Sequence, residues 1–308
     1  MESMIILFNP SSDQGRAAGQ RGVLQAALDR AGVSAKIIVT QSEGHLRRLA
    51  RDAGRFYSRI VGAGGDSTYS IIAGEILSAG TGAVLGMLPL GSSNDISREF
   101  GVERLEKAVA VLKDGRTREV DLGLVKSQGR ALGYFLGQAN VGLGAFVNRR
   151  VARRVERRKR FARSQSLAGF WAVRDAIRSG EVPLRLEIAG AGTTIAGLFT
   201  AAVFSNIRYW ATGKAIAPEA RTDDGLLDLC LVKSCSLLGL AGIYRLAGKG
   251  RHGRSPLIQF LRSPSFRLHS EIPFEIQADG EILGTSDGRT KFGELEIEVV
   301  PRALKLIG

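Results

Sequence analysis

Residues 59–68 read RIVGAGGDST: a short apolar run, Arg59 to Val61, then a glycine-rich turn, then a stretch from Thr68 to Leu77 with helical character. Glycine adopts positive φ without strain and lets the backbone approach an anion closely. Amides that open a following helix can then hold phosphate oxygens. The same residues also suit a tight strand-to-helix turn that binds nothing, and the loop alone does not decide between the two. Its neighbours on either side carry more information.

Upstream, Met4 to Phe8 is an apolar run stopped by Asn9-Pro10, which reads as a buried strand feeding a loop. A helix is expected over Arg16 to Arg30, with Ala17, Leu24, Ala27 and Leu28 near helical spacing and Gly32 as its stop. Ala35 to Thr40 reads as the next strand and Gly44 to Arg55 as the next helix. Downstream, Val84 to Leu88 is a further strand, ended by Pro89. Strands alternating with helices of this length imply crossover units and a mainly parallel sheet, so an α/β domain is expected. The loop Leu88 to Asp95 repeats the strand–turn–helix pattern, and Ser92 with Asp95 fits a capping box. In a parallel sheet this loop, the glycine turn and Asn9-Pro10-Ser11-Ser12 all fall at the carboxyl edge, where ligands bind.

After about Asp121 the character changes. Tyr134 to Asn140, Pro183 to Ala189, Thr193 to Ser205, Leu227 to Lys233, Phe266 to Leu268, Phe274 to Ala278 and Glu294 to Val300 all read as strands. Two helical stretches, about Phe146 to Ser179 and Leu237 to Lys249, interrupt them. Short strands punctuated by turns predict a mostly antiparallel β domain. The chain has 308 residues, beyond the size at which a single core stays efficient, and two domains follow on that ground too.

Two carboxylate clusters stand out here: Asp223-Asp224-Gly225 before an apolar run, and Asp279-Gly280-Glu281 after one. Either could be a plain hairpin turn, since Asp-Gly is a common turn signal. Either could equally supply a metal ligand or a general base.

The net charge of +13 points to anionic partners. Arg149 to Arg163 holds nine Lys or Arg against the single acid Glu156, and on a helix Arg149, Arg150, Arg153, Arg154, Arg157 and Arg158 would form a cationic band. Aromatic residues are not interleaved with that band, so no nucleic-acid partner is expected. Cys230 and Cys235 have neither metal-knuckle nor redox spacing and read as reduced thiols of a cytoplasmic chain. The opening MESMIILFNP lacks a basic leader, and no stretch approaches the roughly 18–20 apolar residues of a spanning helix, so any membrane contact is expected to be peripheral.

Taken in order, these segments resemble the diacylglycerol kinase catalytic-domain superfamily, which includes bacterial lipid kinases and sphingosine kinases. Asn9-Pro10 is similar to its opening N-P loop, Gly64 to Thr68 to its G-G-D-G-T signature, and Pro89 to Asp95 with Arg98 to its P-L-G-T-x-N-D-x-x-R segment. Asp121-Leu122-Gly123, Asn140 to Gly144, Ala217-Pro218, Asp224 to Asp228 and Asp279 to Glu281 follow in the family's order. The resemblance implies an α/β nucleotide-binding domain over 1–125, rejoined by 301–308, and a β-sandwich-like lipid domain over 126–300 with catalysis between them. It implies ATP and Mg2+ as cofactors and a lipid substrate bearing a hydroxyl; the basic run Arg149 to Arg163 would hold such an enzyme peripherally on an anionic membrane, and a homodimer is compatible with this. Asn9, Pro10, Ser11, Ser12, Asp13, Thr40, Gly64, Gly65, Asp66, Ser67, Thr68, Tyr69, Ser70, Ser92, Asn94 and Asp95 would meet the nucleotide. Asp224, with the main chains of Arg221 and Leu226 and with Asp121 nearby, would hold the metal; Asp279 or Glu281 would be the base. Four positions depart from the family: Ser67 and Ile71 replace a glycine and a glutamate, Asp13 stands where glycine is common, and Ser92 replaces a threonine but keeps the hydroxyl. An anionic-lipid-binding member without activity, and a kinase of a soluble substrate such as NAD, remain as alternatives.

Overall fold

The computed structural model describes residues 2–147, 174–176 and 178–308. The basic run Arg149 to Arg163 and most of the helix expected over 146–179 lie outside the described residues. The first half is β1 (Glu2–Phe8), α1 (Arg21–Ala31), β2 (Lys36–Val39), α2 (Glu43–Ala53), β3 (Tyr57–Gly64), α3 (Asp66–Ala79), β4 (Val84–Pro89), α4 (Asp95–Glu99) and α5 (Leu105–Asp114). Strands β2, β1, β3 and β4 lie side by side and all parallel. Each is a short apolar run with polar punctuation, and the Ile5, Ile6 and Leu7 side chains of β1 are almost wholly buried. Helix α1 packs on α5 and α2 on α3 over this sheet. Gly32 closes α1 in the left-handed conformation, its amide reaching back to Asp29 and Leu28, as its place in the sequence predicts. Helix α2 opens on Ser42, whose hydroxyl accepts the His45 amide.

The second half continues with β5 (Thr117–Ser127), β6 (Arg130–Phe135), β7 (Gln138–Gly142), β8 (Leu184–Gly190), β9 (Thr193–Ser205), β10 (Tyr209–Trp210), β11 (Lys214–Ala215), β12 (Leu227–Lys233), α6 (Leu237–Ala247), β13 (Ile258–Ser263), β14 (Ser265–Phe274), β15 (Ile276–Ala278), β16 (Glu281–Ile282) and β17 (Phe292–Ile307). Every pairing within this half is antiparallel. The α/β class with an added antiparallel β unit is therefore the architecture observed. Two strands cross from one core to the other. In β5, Val120 and Leu122 pack with the α/β core while Val125 packs with the β core; in β17, Leu295 and Ile297 belong to the β core and Leu304, Leu306 and Ile307 to the α/β core. The last of these pairs with β4 in parallel, Leu306 opposite Leu85.

Several local expectations change. The helix predicted from Arg16 begins only at Arg21; residues 13–20 form a 3₁₀ segment broken by left-handed Gln14 and Gly15. Gly15, Gly19 and Gly22 explain the delay, since glycine gives up more backbone freedom in a helix than any other residue. The run Tyr134 to Asn140 is two strands, β6 and β7, not one, because the chain turns at Leu136-Gly137. Helix α5 and strands β5 and β13 go beyond the sequence expectation. No helix among the described residues is long and apolar enough to cross a membrane.

The junction of the two cores is tightly fitted at Gly123, which faces Phe135 across the β5–β6 pair. A β-carbon there would lie 1.9 Å from the Phe135 ring, and that ring is fully buried. Gly123→Ala is therefore expected to destabilise the protein by about 1–3 kcal/mol, as overpacking of a filled core does. Urea unfolding of the variant beside the parent measures it.

Candidate active site at the sheet edge

Strand β3 runs into α3 through Gly64 and Gly65 with no intervening loop. A β-carbon on Gly64 would sit 2.4 Å from the Thr68 hydroxyl, so this position admits only glycine. From behind, the Tyr69 hydroxyl donates to the Gly64 carbonyl (2.9 Å), and Asn9 Nδ2 donates to the Thr68 hydroxyl (3.0 Å). Asn9 Oδ1 in turn accepts the Ser11 amide. The Thr68 and Tyr69 amides turn back to the Gly65 carbonyl (2.9 and 3.3 Å), which leaves the Asp66 and Ser67 amides as the first-turn donors without an intrahelical partner. Thr68 and Tyr69, nominated as nucleotide contacts, thus brace the loop from within the core; both are fully buried. Thr40 is buried as well, and its hydroxyl donates to the Phe8 carbonyl.

The loop after β4 locks onto the first. Gly91 and Gly65 approach so closely that a β-carbon on Gly91 would lie 2.6 Å from the Gly65 Cα. Helix α4 is capped differently from the expectation. Ser92 is exposed and makes no capping box; instead the Asp66 carboxylate, from the other loop, accepts the amides of Asp95 (3.1 Å) and Ile96 (3.0 Å). Asn94, left-handed at φ 52°, ties its own side chain to Gly91 on both ends. Burial, with Asp95 nearby, pushes the Asp66 carboxyl up to about 7, while the two amides pull against that. Asp95 is itself held by the Ser93 hydroxyl and by the amides of Thr212 and Gly213, on the turn between β10 and β11.

The two late carboxylates separate into distinct roles. Asp279 and Gly280 form the two-residue turn of the β15–β16 hairpin, with φ of 42° and 99°. The hairpin reading is therefore correct, and the carboxylate has work besides. Asp279 accepts the amides of Leu136 (2.8 Å), Gly137 (3.0 Å) and Gln138 (2.7 Å), and the Ser70 hydroxyl of α3. Burial raises its proton affinity and these donors lower it. With both oxygens engaged, Asp279 is a structural joint between hairpin, β6–β7 turn and α3. Glu281 and Asp279 both line a cavity of about 230 Å³ between α3 and β6, with Ser67, Ile71, Leu132, Tyr134 and Glu75; of the two, Glu281 is the one not already tied by main-chain amides. Burial pushes it up to about 7, drawn down in part by the guanidinium of Arg47. The hairpin turn meets the phosphate loop directly: a β-carbon on Gly280 would lie 3.9 Å from Ser67 Cβ.

The residues nominated for a metal are otherwise occupied. Asp121 is fully buried and accepts the amides of Arg302 and Gly225, each at 2.7 Å. Asp224 accepts the Leu226 amide and the guanidinium of Arg262, which also reaches Asp228. The Arg221 side chain turns to Asp223. The carboxylates of Asp121 and Asp224 are thus both engaged, and no group of three or more His, Cys, Asp or Glu side chains that could hold a metal occurs among the described residues. They are still linked to the site: Asn206 Nδ2 bridges the carbonyls of Asp121 (2.8 Å) and Leu136 (2.9 Å), next to the Asp279 amide donors.

Four contributors escape the sequence reading. Arg47, Asn206, Thr212 and Gly213 lie in no motif; Thr212 and Gly213 act through main-chain amides, which any residue but proline supplies. Asp13, by contrast, is neutralised locally by Arg16 at 2.6 Å.

A phosphate-type loop at a parallel sheet edge is thus met by a carboxylate hairpin from the antiparallel unit. Comparison with known proteins gives the family. Residues 3–125 match the diacylglycerol kinase catalytic domain, and residues 137–308 match the YegS C-terminal NAD kinase beta sandwich-like domain. The chain belongs to the family that joins these two domains, and it is a kinase. It is 29% identical over 305 residues to a diacylglycerol kinase of Mycobacterium tuberculosis, covering 98% of this chain and 93% of that one. A Pseudomonas aeruginosa protein named "Probable lipid kinase YegS-like" is also 29% identical, over 95% of this chain and 91% of its own. The crystal structure of a diacylglycerol kinase from Bacillus anthracis superposes with a TM-score of 0.72 at 19% identity, covering 99% and 96% of the two chains.

Because backbone meets backbone where Gly91 faces Gly65, Gly91→Ala must push the loops apart. It is expected to cost about 1–3 kcal/mol and to weaken binding of a fluorescent ATP analogue. Gly44→Ala, in an open helical position whose nearest neighbour is 3.8 Å away, is the control that leaves binding unchanged. Fluorescence titration with thermal unfolding separates the two.

Proposed function

We propose that this chain transfers the γ-phosphoryl group of ATP to the hydroxyl of a diacylglycerol-like or sphingoid lipid. The observation that carries the reading is the meeting of Gly280 with Ser67, which sets Glu281 at the wall of a cavity beside the phosphate loop. Phosphoryl transfer asks of a protein mainly positioning and charge neutralisation. The first-turn amides of α3 without an intrahelical partner would receive the nucleotide's phosphates, Asn9 and Asp66 hold the two loops that carry them, and Glu281 would take the proton of the acceptor hydroxyl. Asp279 would set the hairpin, its oxygens taken by the amides of Leu136, Gly137 and Gln138. Magnesium enters this reading only as the counter-ion of the nucleotide's phosphates, since the carboxylates nominated for it are already held. The names of the relatives support a lipid acceptor.

The basic run Arg149 to Arg163 would hold the enzyme on an anionic leaflet, each cation adding about 1 kcal/mol near the surface. Ser67 and Ile71, which differ from the family's residues, favour a second reading: an anionic-lipid-binding member that transfers nothing.

Incubation with ATP labelled at the γ-phosphate, magnesium and a total lipid extract decides between them. Labelled lipid is expected, with Glu281→Gln reducing the rate by about 10²–10⁴, the usual contribution of a general base. A base must be deprotonated, so the rate should rise with pH through a midpoint near 7, where burial places Glu281. Label appearing only in the water-soluble fraction would transfer the assignment to a soluble acceptor. Absence of label alongside retained binding to anionic vesicles would establish the second reading.

A further inference from the structure

Arg47 lies in α2, in no recognisable motif, 234 residues before Glu281 in the chain, yet its Nη2 stands 2.7 Å from Glu281 Oε2. The same guanidinium is held from two other directions. Nε donates to Glu43 one turn earlier on α2 (2.9 Å), and Nη1 lies 3.6 Å from Glu75 of α3. Glu75 is itself pinned by Arg51 at 2.7 Å, and its side chain is only 8% exposed. Three carboxylates thus surround two guanidinium groups at the rim of the cavity.

Arg47 can be fixed only because Glu43 and Glu75 fix it. A planar fork gripped by two carboxylates loses its freedom to wander and presents the remaining N–H at one place. That place is Glu281. The carboxylate of Glu75 arises one helical turn beyond Ile71, where the family pattern has a glutamate, and Ile71 lines the same cavity. Helix α3 therefore offers an apolar side chain to the cavity and, one turn on, an acid that grips Arg47 instead. The groups facing Glu281 are Arg47 and Glu43 from α2, Glu75 through Arg47 from α3, and Asp279 from its own hairpin. Of these only Arg47 is cationic.

We infer that Arg47 is a positioning residue for the reaction, holding the Glu281 carboxylate in one orientation at the cavity wall and favouring its ionised form there. This rests on the reading of Glu281 as the acceptor-side base. Without the guanidinium, burial and the neighbouring acids would favour the protonated form, which cannot take a proton. The Arg47 side chain is 38% exposed, so its own loss leaves no large void.

The test follows the Glu281 carboxylate by ¹³C NMR titration of glutamate-labelled protein, with Glu281→Gln identifying the resonance. Arg47→Met is expected to raise the titration midpoint by about one unit or more, the effect of removing a close opposite charge. Glu75→Gln weakens one of the two grips that fix Arg47 and should raise the midpoint as well, by less than Arg47→Met does; it also serves if Arg47→Met does not fold. In the kinase assay, Arg47→Met should lose kcat at neutral pH, recover it in alkali and keep its KM for ATP, while Arg47→Lys, a charge without the fork, falls between. Unchanged midpoints in both folded variants would overturn the inference and leave Arg47 a purely structural ion pair. Because titration needs no turnover, a parent protein that phosphorylates no lipid would sink the functional reading while the positioning of Glu281 is still decided by the NMR.

Discussion

Asp279 is a buried carboxyl group whose hydrogen-bonding capacity neither half of the molecule satisfies alone. Three amides from the turn joining β6 and β7 and a hydroxyl from α3 converge on it. A buried carboxylate that lost any of these donors would protonate or drag in water, so the hairpin, the turn and the helix must come together at once. Everything the site needs follows from that joint. Gly280 is pressed toward Ser67, Glu281 is delivered to the cavity, and Leu136 is fixed where Asn206 can tie it to Asp121.

Around this joint each acid does a specific mechanical job, and the sites predicted for chemistry turn out to be unequal. Asp66 caps a helix belonging to the other loop, and Asp121 holds the amides of two distant segments, Arg302 and Gly225. Both are what a phosphate-binding edge requires of its scaffold: rigid backbone donors, with the competing negative charges kept turned away from the ligand. The Asp13–Arg16 pair follows the same logic by cancelling a charge that would otherwise oppose a phosphate.

The α/β half was legible because its signals are local: apolar runs, glycine stops and loops that fall at one edge by topology. Gly32 is needed for its left-handed conformation, which its place after the helix displays, and Gly64 because a β-carbon there would strike Thr68. The site was legible in outline, since the glycine loop and the Asp279 to Glu281 turn announce themselves. The rest was hidden for identifiable reasons. Arg47 means nothing until a partner 234 residues away folds beside it. Thr212 and Gly213 contribute main-chain amides, which carry no side-chain signature. The capping box at Ser92 and Asp95 was a sound local inference overruled by Asp66, a competitor that only tertiary structure brings near. Asp279 and Glu281, two residues apart and chemically alike, could be told apart only by counting their donors.

Strand β17 has a consequence for how the chain comes to be folded at all. Its Leu304, Leu306 and Ile307 fill the core built by β1, β3 and β4, and it lies directly beside β4. On a ribosome the first four strands emerge long before this one, and the apolar edge of β4 has no neighbour until β17 arrives. Amino-terminal domains commonly fold while the remainder is still being made, but here the early domain has to wait, with an open sheet edge, for the late one. A nascent chain of this kind is exposed to mispairing through most of its synthesis, and its yield in a cell would depend on chaperone supply more than on the stability of the finished fold.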